Sequence, residues 1–492
     1  MIIETTYGKV KGQKENDVYV WKGIPYAQSP IGPLRFRAPK PPEEWSDIKD
    51  CTEFGPIAYQ PSLEIMNFLG TNPTNMSEDC LYLNIWSPSI DHKKRPVLVW
   101  INGGAFITGS GSSLIYDGSA FAKNGDVVVV TFNYRLGILG FLHLAELGGE
   151  EYSVSGNCGI LDQIAALQWV KDNIGAFGGD PDQVTIFGES AGAMSVGTLL
   201  ATPKAKGLFA KAILQSGAAN HVIDLNQATK NAEFLLNILN MNKNEIKKLE
   251  ELPAEQLIEA SNKLPMMSLI PVIDGVVLPK HPKELLKEGS ASNIPILIGT
   301  NKDEYRLFTF FDPIWKKNDP IEIEKIFQRT FRNRWSAIAE QFTTDERELN
   351  QILYDQLMTM ITFTSPAYQL AELQVKNNAP VWMYRFDWES RAFAGQLKSC
   401  HALEIPFVWN TINKPGIENF TGISPDRNEL ASKMHHAWIA FARSGNPNTT
   451  DLPDWSSYDL DNRTTMIFDT MCKVTCDPDR DARIKWENII NS

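Results

Sequence analysis

The chain has 492 residues, 43% hydrophobic and 22% charged, with a formal net charge of -12. That composition is ordinary for a globular protein and excludes a disordered or fibrous one. The acidic balance argues against nucleic-acid and other phosphate-rich partners, because neutralising phosphates takes clustered Lys and Arg that this sequence does not display.

The first residues, MIIETTYGKVKG, lack the basic start, apolar run and small-residue cleavage site of a secretion signal. No apolar stretch approaches membrane-spanning length. A cytoplasmic protein with no membrane partner is therefore expected. Six thinly spread cysteines fit a reducing compartment better than a disulfide framework. Cys472 and Cys476 lie four apart, but no His or further Cys sits beside them, so no metal site is expected there.

Short, continuous β-branched or apolar runs at 97–101, 127–132, 184–187 and 294–298 predict buried parallel strands. Between them, 161–174 sets Ile164, Leu167, Trp169, Val170 and Ile174 on one helical stripe, with Asp162, Lys171 and Asp172 off it. Strands alternating with such helices predict an α/β architecture: a large, mostly parallel sheet covered on both faces. The Lys-, Glu- and Asn-rich segment 225–264 and the segment 321–361 read as helical insertions over that core. Near the end, SKMHHAWIAFARSG predicts an amphipathic helix stopped by Gly445 and Pro447. No repeat or low-complexity linker marks a boundary, so residues 1–492 are expected to form a single domain.

The strongest local signal is VTIFGESAGAMSVGTLL, where an apolar strand runs into Gly188-Glu189-Ser190-Ala191-Gly192 and then a helix of small residues. Strand, G-x-S-x-G and helix make a nucleophile elbow. The two glycines leave room where a Cβ would collide, and the turn exposes the Ser190 hydroxyl at the carboxyl edge of the sheet. A serine hydroxyl is a poor nucleophile at neutral pH, so it needs an imidazole to take its proton and a carboxylate to orient that imidazole. In this arrangement the chain order is Ser, acid, His, which leaves His401, His435 and His436 among seven histidines. The last two lie in the amphipathic helix, whereas His401 sits in the loop-like SCHALEIPF, so His401 is the candidate base.

For the acid, IPILIGTNKDEYRLF ends a buried strand and turns into Asp303 and Glu304, and spacing alone does not choose between them. The segment VLVWINGGAFITGSG supplies a glycine-rich loop after a strand, a close variant of the oxyanion loop of lipases and esterases. The backbone amides of Gly104, Ala105 and Ala191 are the candidate oxyanion donors.

Several stretches, YGKVKG, WKGIPYAQSPIGPLRFRAP, SEDCLYLNIWSP, FGGDPDQVTIFGESAG, HALEIPF and FARSGNPN, together resemble the type-B carboxylesterase and cholinesterase family over nearly the whole chain. Within that family the chain resembles the bacterial para-nitrobenzyl esterase-like carboxylesterases. The resemblance implies the α/β-hydrolase fold and selects Glu304 over Asp303, through the strand-end pattern G-x-x-x-x-E. It supports His401 as base and Gly104, Ala105 and Ala191 as oxyanion donors, and it implies ion pairs Arg35–Glu78 and Arg135–Asp162. Three departures stand out. Asn102 occupies the place where bacterial relatives usually carry His, which puts the rigidity of the oxyanion loop in question. Secreted relatives pair the cysteine matching Cys80 with an upstream partner, but here Cys51 lies outside the expected place, with Tyr59 nearer it, so both are expected to be thiols. Cys400 adjoins His401, so its oxidation or alkylation is a candidate means of disturbing the imidazole.

The expected activity is hydrolysis of small carboxylic esters, with short to medium acyl or aryl groups, through an acyl-enzyme on Ser190, with no metal or organic cofactor. Phe106, Phe308, Phe310 and Phe311 near the catalytic segments suggest an apolar pocket. A monomer is the default. The rival readings are a non-catalytic adhesion or scaffold protein, which the intact triad opposes, and a lipase for longer acyl chains.

Overall fold

A computed structural model of the protein describes residues 1–63, 68, 75–317, 319–343 and 349–491. Among these residues, eleven strands join in one sheet. In chain order they are β1 (Gln13–Glu15), β2 (Val18–Pro25), β3 (Tyr82–Ser87), β4 (Arg95–Ile101), β5 (Val128–Phe132), β6 (Gly179–Glu189), β7 (Lys211–Gln215), β8 (Ile296–Asn301), β9 (Val381–Phe386), β10 (Thr464–Phe468) and β11 (Lys473–Cys476). Across the sheet the order is β11-β10-β9-β8-β7-β6-β4-β5-β3-β2-β1. Every pairing from β10 across to β5 is parallel. The pairings outside that block are antiparallel. This is the doubly covered, mostly parallel sheet of an α/β-hydrolase.

Side chains alternate across each central strand and sort into two cores. Val97, Val99 and Ile101 of β4 join Val128, Val130 and Phe132 of β5 on one face. Leu98 and Trp100 join Val129 on the other, with Phe187 of β6 and Leu297 of β8. A strand buried on both faces has no polar side to show, which is why the sequence reads there as an unbroken apolar run. A third, smaller cluster unites Trp315, Ile323, Phe327, Phe331, Tyr354 and Leu357 with Trp486 and Ile489 near the carboxyl terminus.

Two expectations need correction. The strand foreseen from 294 begins at Ile296, because Pro295 has no N–H to give a ladder and only its carbonyl takes part, accepting from the Ala212 amide. Helix α1 (Cys158–Asn173) begins earlier than foreseen. On it Asp162 and Gln163, which carry no apolar surface, are buried, while Ile164 is only half-buried. Their partners explain this: Asp162 is paired with Arg135, and Gln163 donates to the Ser195 hydroxyl at 3.0 Å.

Helix α2 (Ala191–Ala201) follows β6 directly and is buried along its whole length. The segment 225–264 carries helices Leu225–Ile238 and Ala254–Ser261. Helix α3 (Arg306–Phe311) follows β8. The segment 321–361 falls on helices Pro320–Phe331 and Trp335–Phe342 and on α4 (Gln351–Thr359), with residues 344–348 outside the described ones. After it come α5 (Ser365–Lys376) and α6 (Arg427–Ser444), the latter closed by Gly445 at φ 74°. Among the described residues no helix is long and apolar enough to cross a membrane.

Candidate active site

Strand β6 delivers Glu189 and Ser190 to the carboxyl edge of the sheet. Ser190 has φ 55° and ψ -126°, a conformation that L-residues adopt only under constraint. The constraint is visible around it. The Ser190 amide donates to the Gln215 carbonyl at the end of β7, and its own carbonyl accepts from Met194 in α2. A Cβ on Gly192 would stand 2.0 Å from the Ile101 carbonyl oxygen, so only glycine lets α2 start this close to β4. Ala191 is the first residue of that helix, where backbone amides have no intrahelical acceptor.

Glu304 and His401 meet although 97 positions separate them: His401 Nδ1 and Glu304 Oε2 are 2.6 Å apart, with both side chains buried. The carboxylate is fixed from behind by the Asn301 amide on Oε1 at 2.7 Å, and the His401 amide donates to the Glu304 carbonyl at 3.2 Å. Asp303 turns elsewhere, accepting from the Ser399 amide at 3.3 Å. Of the other candidate histidines, His435 is buried in α6 with Nδ1 2.8 Å from the Val408 carbonyl, and burial pushes it down to about 4. His436 is its neighbour on the same helix.

His401 Nε2 lies 3.0 Å from Glu189 Oε1, a charge contact that is not aligned as a hydrogen bond, since that oxygen has no hydrogen-bond donor among the described residues. Burial opposes protonation of His401, but the charges of Glu189 and Glu304 and the hydrogen bond to Glu304 outweigh it and hold the imidazole up at about 9. Burial likewise pushes Glu189 up to about 8. No hydrogen bond joins Ser190 Oγ to His401 in this arrangement; such contacts commonly tighten only when substrate is in place.

The loop after β4 passes directly over the elbow: a Cβ on Gly103 would stand 3.2 Å from the Ser190 Cβ. Gly104 takes φ +115° and Ala105 φ 54°, turning the loop back on itself. The Gly104 and Ala105 amides bond to no acceptor among the described residues. The question raised by Asn102 has a structural answer. Its side chain is buried and, among the described residues, donates only to the adjacent Gly103 carbonyl, while its backbone carbonyl takes the Tyr134 hydroxyl at 2.8 Å. The Ile107 and Thr108 amides close on the Gly104 carbonyl, and the Gly109 amide donates to Gln60. Backbone closure and Tyr134 hold the loop without an imidazole at 102.

Comparison with known proteins assigns this architecture. The model of the carboxylesterase family matches residues 1–482. The chain belongs to the carboxylesterase family. It is 42% identical to para-nitrobenzyl esterase of Bacillus subtilis, over 98% of both chains. It is 35% identical to phenmedipham hydrolase of Pseudarthrobacter oxydans, over 95% of this chain and 94% of that one. The crystal structure of a Geobacillus stearothermophilus carboxylesterase superposes with a TM-score of 0.89 at 46% identity, covering 99% of each chain.

In this carboxylesterase the two ion pairs implied by resemblance are present. Arg35 pairs with Glu78 and also donates to the Leu249 and Leu252 carbonyls, tying the 225–264 segment down. Arg135 grips Asp162 at 2.7 and 2.8 Å, with both groups buried. Removing one partner of such a pair strands a charge, so Asp162→Asn is expected to cost about 3 to 5 kcal/mol, read as a lowered denaturant midpoint. An unchanged midpoint would mean that the pair adds nothing.

All six cysteines are unpaired. Cys51 is pushed up to about 12 by burial. Cys400 is fully enclosed and pushed well above the ordinary thiol range, so it does not offer the accessible thiolate that oxidation or alkylation needs. Phe106, foreseen beside the pocket, instead packs on Phe141 in the core at 5.1 Å between centroids. Phe308 does reach the site, with its ring 5.3 Å from the His401 ring, whereas Phe310 and Phe311 cluster with Phe393 and Phe68.

Sequence reasoning missed two buried carboxylates. Glu189 fills the variable position before the serine. Glu404, three residues after His401, accepts from Asn301 at 2.7 Å and Gln215 at 3.0 Å, and Gln215 in turn accepts from Trp438. The available signal was a glutamate inside an otherwise apolar stretch, since Glu is almost never fully buried without partners.

Proposed function

We propose that this carboxylesterase, a single domain over its whole length, hydrolyses short to medium acyl or aryl esters through an acyl-enzyme on Ser190. His401 is the general base and Glu304 the acid that orients it. The observation that carries the reading is the 2.6 Å His401–Glu304 hydrogen bond two elements away from a serine held at φ 55°. Ser190 Oγ attacks the ester carbonyl while His401 Nε2 takes its proton, and Glu304 stabilises the imidazolium. The oxyanion is received by the amides of Gly104, Ala105 and Ala191, whose open N–H groups support that role. His401 then protonates the departing alcohol, and afterwards takes a proton from the water that attacks the acyl-enzyme and frees the acid. Relatedness to a para-nitrobenzyl esterase makes aromatic esters the first substrates to try.

A covalent acyl-enzyme has a common identity whatever alcohol has left. Esters of one acid with nitrophenyl, phenyl and alkyl alcohols are therefore expected to give one fixed ratio of methyl ester to free acid when methanol competes with water. A ratio that changes with the leaving group would overturn the acyl-enzyme. A para-nitrophenyl series from acetate to long chains then sets the acyl preference, and a maximum at long, interfacial substrates would favour a lipase.

Glu189 gives a pH prediction. A base must be unprotonated, so kcat/KM rises with pH through the His401 titration, and Glu189 is the charge that raises it most. In Glu189→Gln the acid limb of the kcat/KM profile is expected to move to lower pH. A limb that stays in place or moves up would show that Glu189 does not act on the imidazole.

A further inference from the structure

Helices α4 and α5 would make one continuous helix but for five residues between them, Met360–Thr364, which form a π turn closed by the Ser365 amide on the Met360 carbonyl. Such turns are rare, and they recur at functional sites. The sequence contains the local reason. Pro366 has no N–H for the carbonyl of Thr362, and in an uninterrupted α-helix its ring would press on that carbonyl, a conflict that a wider turn relieves. The consequence is rotational. One extra residue offsets everything after it by about 100° around the axis. Leu357 and Met360, before the offset, face the third cluster with Trp486, while Phe363, Ala367 and Leu370 face the main core.

What Phe363 meets there is the imidazole. Its ring centroid lies 4.8 Å from that of His401, and the Phe308 ring, stacked parallel to it at 6.5 Å, lies 5.3 Å from His401. The same helix holds the catalytic loop by two further contacts. The Tyr305 amide, next to Glu304, donates to the Thr359 hydroxyl at 3.1 Å, and the Thr309 hydroxyl donates to Asp355 at 2.7 Å. Both the acid's neighbour and the ring beside the base are therefore fixed from one helix.

We infer that Phe363, carried onto His401 by the π turn, is a positioning residue for the imidazole: with Phe308 it fills the space into which the ring would otherwise swing away from Glu304, and it keeps water from that hydrogen bond. The inference rests on the reading of His401 as base. It assigns Phe363 to the orientation of the base rather than to substrate binding, so its loss acts on the chemical step.

The test uses the full-length enzyme with Phe363→Ala and Phe363→Leu, assayed on para-nitrophenyl acetate, whose acyl group is too small to need an aromatic wall. A fall in kcat of about 10- to 100-fold is expected for Phe363→Ala, the scale of a displaced catalytic group, with KM within threefold and with Leu restoring most of the loss. In parallel, the far-downfield proton resonance of His401 Nδ1–H, assigned by its disappearance in Glu304→Gln, is expected to broaden by solvent exchange in Phe363→Ala. A raised KM with unchanged kcat would overturn the inference in favour of a substrate wall, as would wild-type kcat with a sharp resonance. If the alanine variant does not fold, the leucine variant carries the same readouts with a smaller expected fall. Failure of the underlying mechanism looks different: Glu304→Gln would then remain active whatever happens at Phe363.

Discussion

Ser190→Ala is expected to lower kcat for para-nitrophenyl esters by a factor on the order of 10⁶, the scale seen when the serine of a serine–histidine–acid site is removed. No neighbouring group can substitute for the Ser190 hydroxyl. The elbow places one hydroxyl at the edge of β6, and the adjoining Ala191, Gly192 and Ala193 carry no nucleophile. Cys400 is enclosed and protonated by its burial, so it does not take over. The strained φ of 55° is set by the Gln215 and Met194 hydrogen bonds to the backbone and not by the hydroxyl, so the variant keeps the elbow. Circular dichroism and the denaturant midpoint should match the wild type. What survives is catalysis by the oxyanion donors alone, still measurable above water. Loss of less than tenfold would mean that the reaction does not pass through Ser190.

Glu304→Gln is the second large effect, about 10⁴-fold on kcat, set against less than about threefold for Asp303→Asn. The first figure follows from tautomer control. Glu304 Oε2 accepts a hydrogen bond from Nδ1–H, which keeps that proton on Nδ1 and so leaves Nε2 free to receive the one on the serine. A glutamine amide can turn its NH₂ toward Nδ1, which selects the opposite tautomer and blocks Nε2. Among the described residues His401 forms its ion pairs with Glu189 and Glu304 and none with Asp303, which accepts from the Ser399 amide, as an asparagine oxygen can also do. Equal damage from the two variants would contradict the assignment of the acid.

How much of this was legible in the sequence depends on whether local pattern or distant packing decides. The central strands β4, β5, β6 and β8 were legible because a strand buried on both faces leaves an apolar run, whereas β7, short and bounded by Lys211 and Gln215, was not read. The elbow was legible because strand, glycines and small-residue helix adjoin in sequence. The antiparallel flanks left no such mark: β1, short and polar, joins β2 in a hairpin, and β2, β3 and β5 are paired by long-range register. Asp303 and Glu304 are equivalent to any spacing argument, and only family likeness separated them, after which the 2.6 Å contact to His401 gave the physical reason. Asp162 fell off the apolar stripe of α1, yet it is among the most buried residues, because Arg135 arrives from 27 positions away. Glu189 and Glu404 were missed for the same cause. The π turn left a single trace, Pro366 within a helical pattern, and nothing in that trace points to His401.

In the proposed mechanism one residue, Ser190, becomes acylated. The most direct measurement is to titrate the enzyme with a fluorophosphonate, which forms a stable bond to an activated serine, and to locate the adduct by intact-mass and peptide mass spectrometry. One adduct per chain is expected, on the peptide containing Gly188-Glu189-Ser190-Ala191-Gly192 and at Ser190 itself, with activity falling in proportion to labelling. An adduct at any other residue, or full activity in fully labelled enzyme, would contradict it.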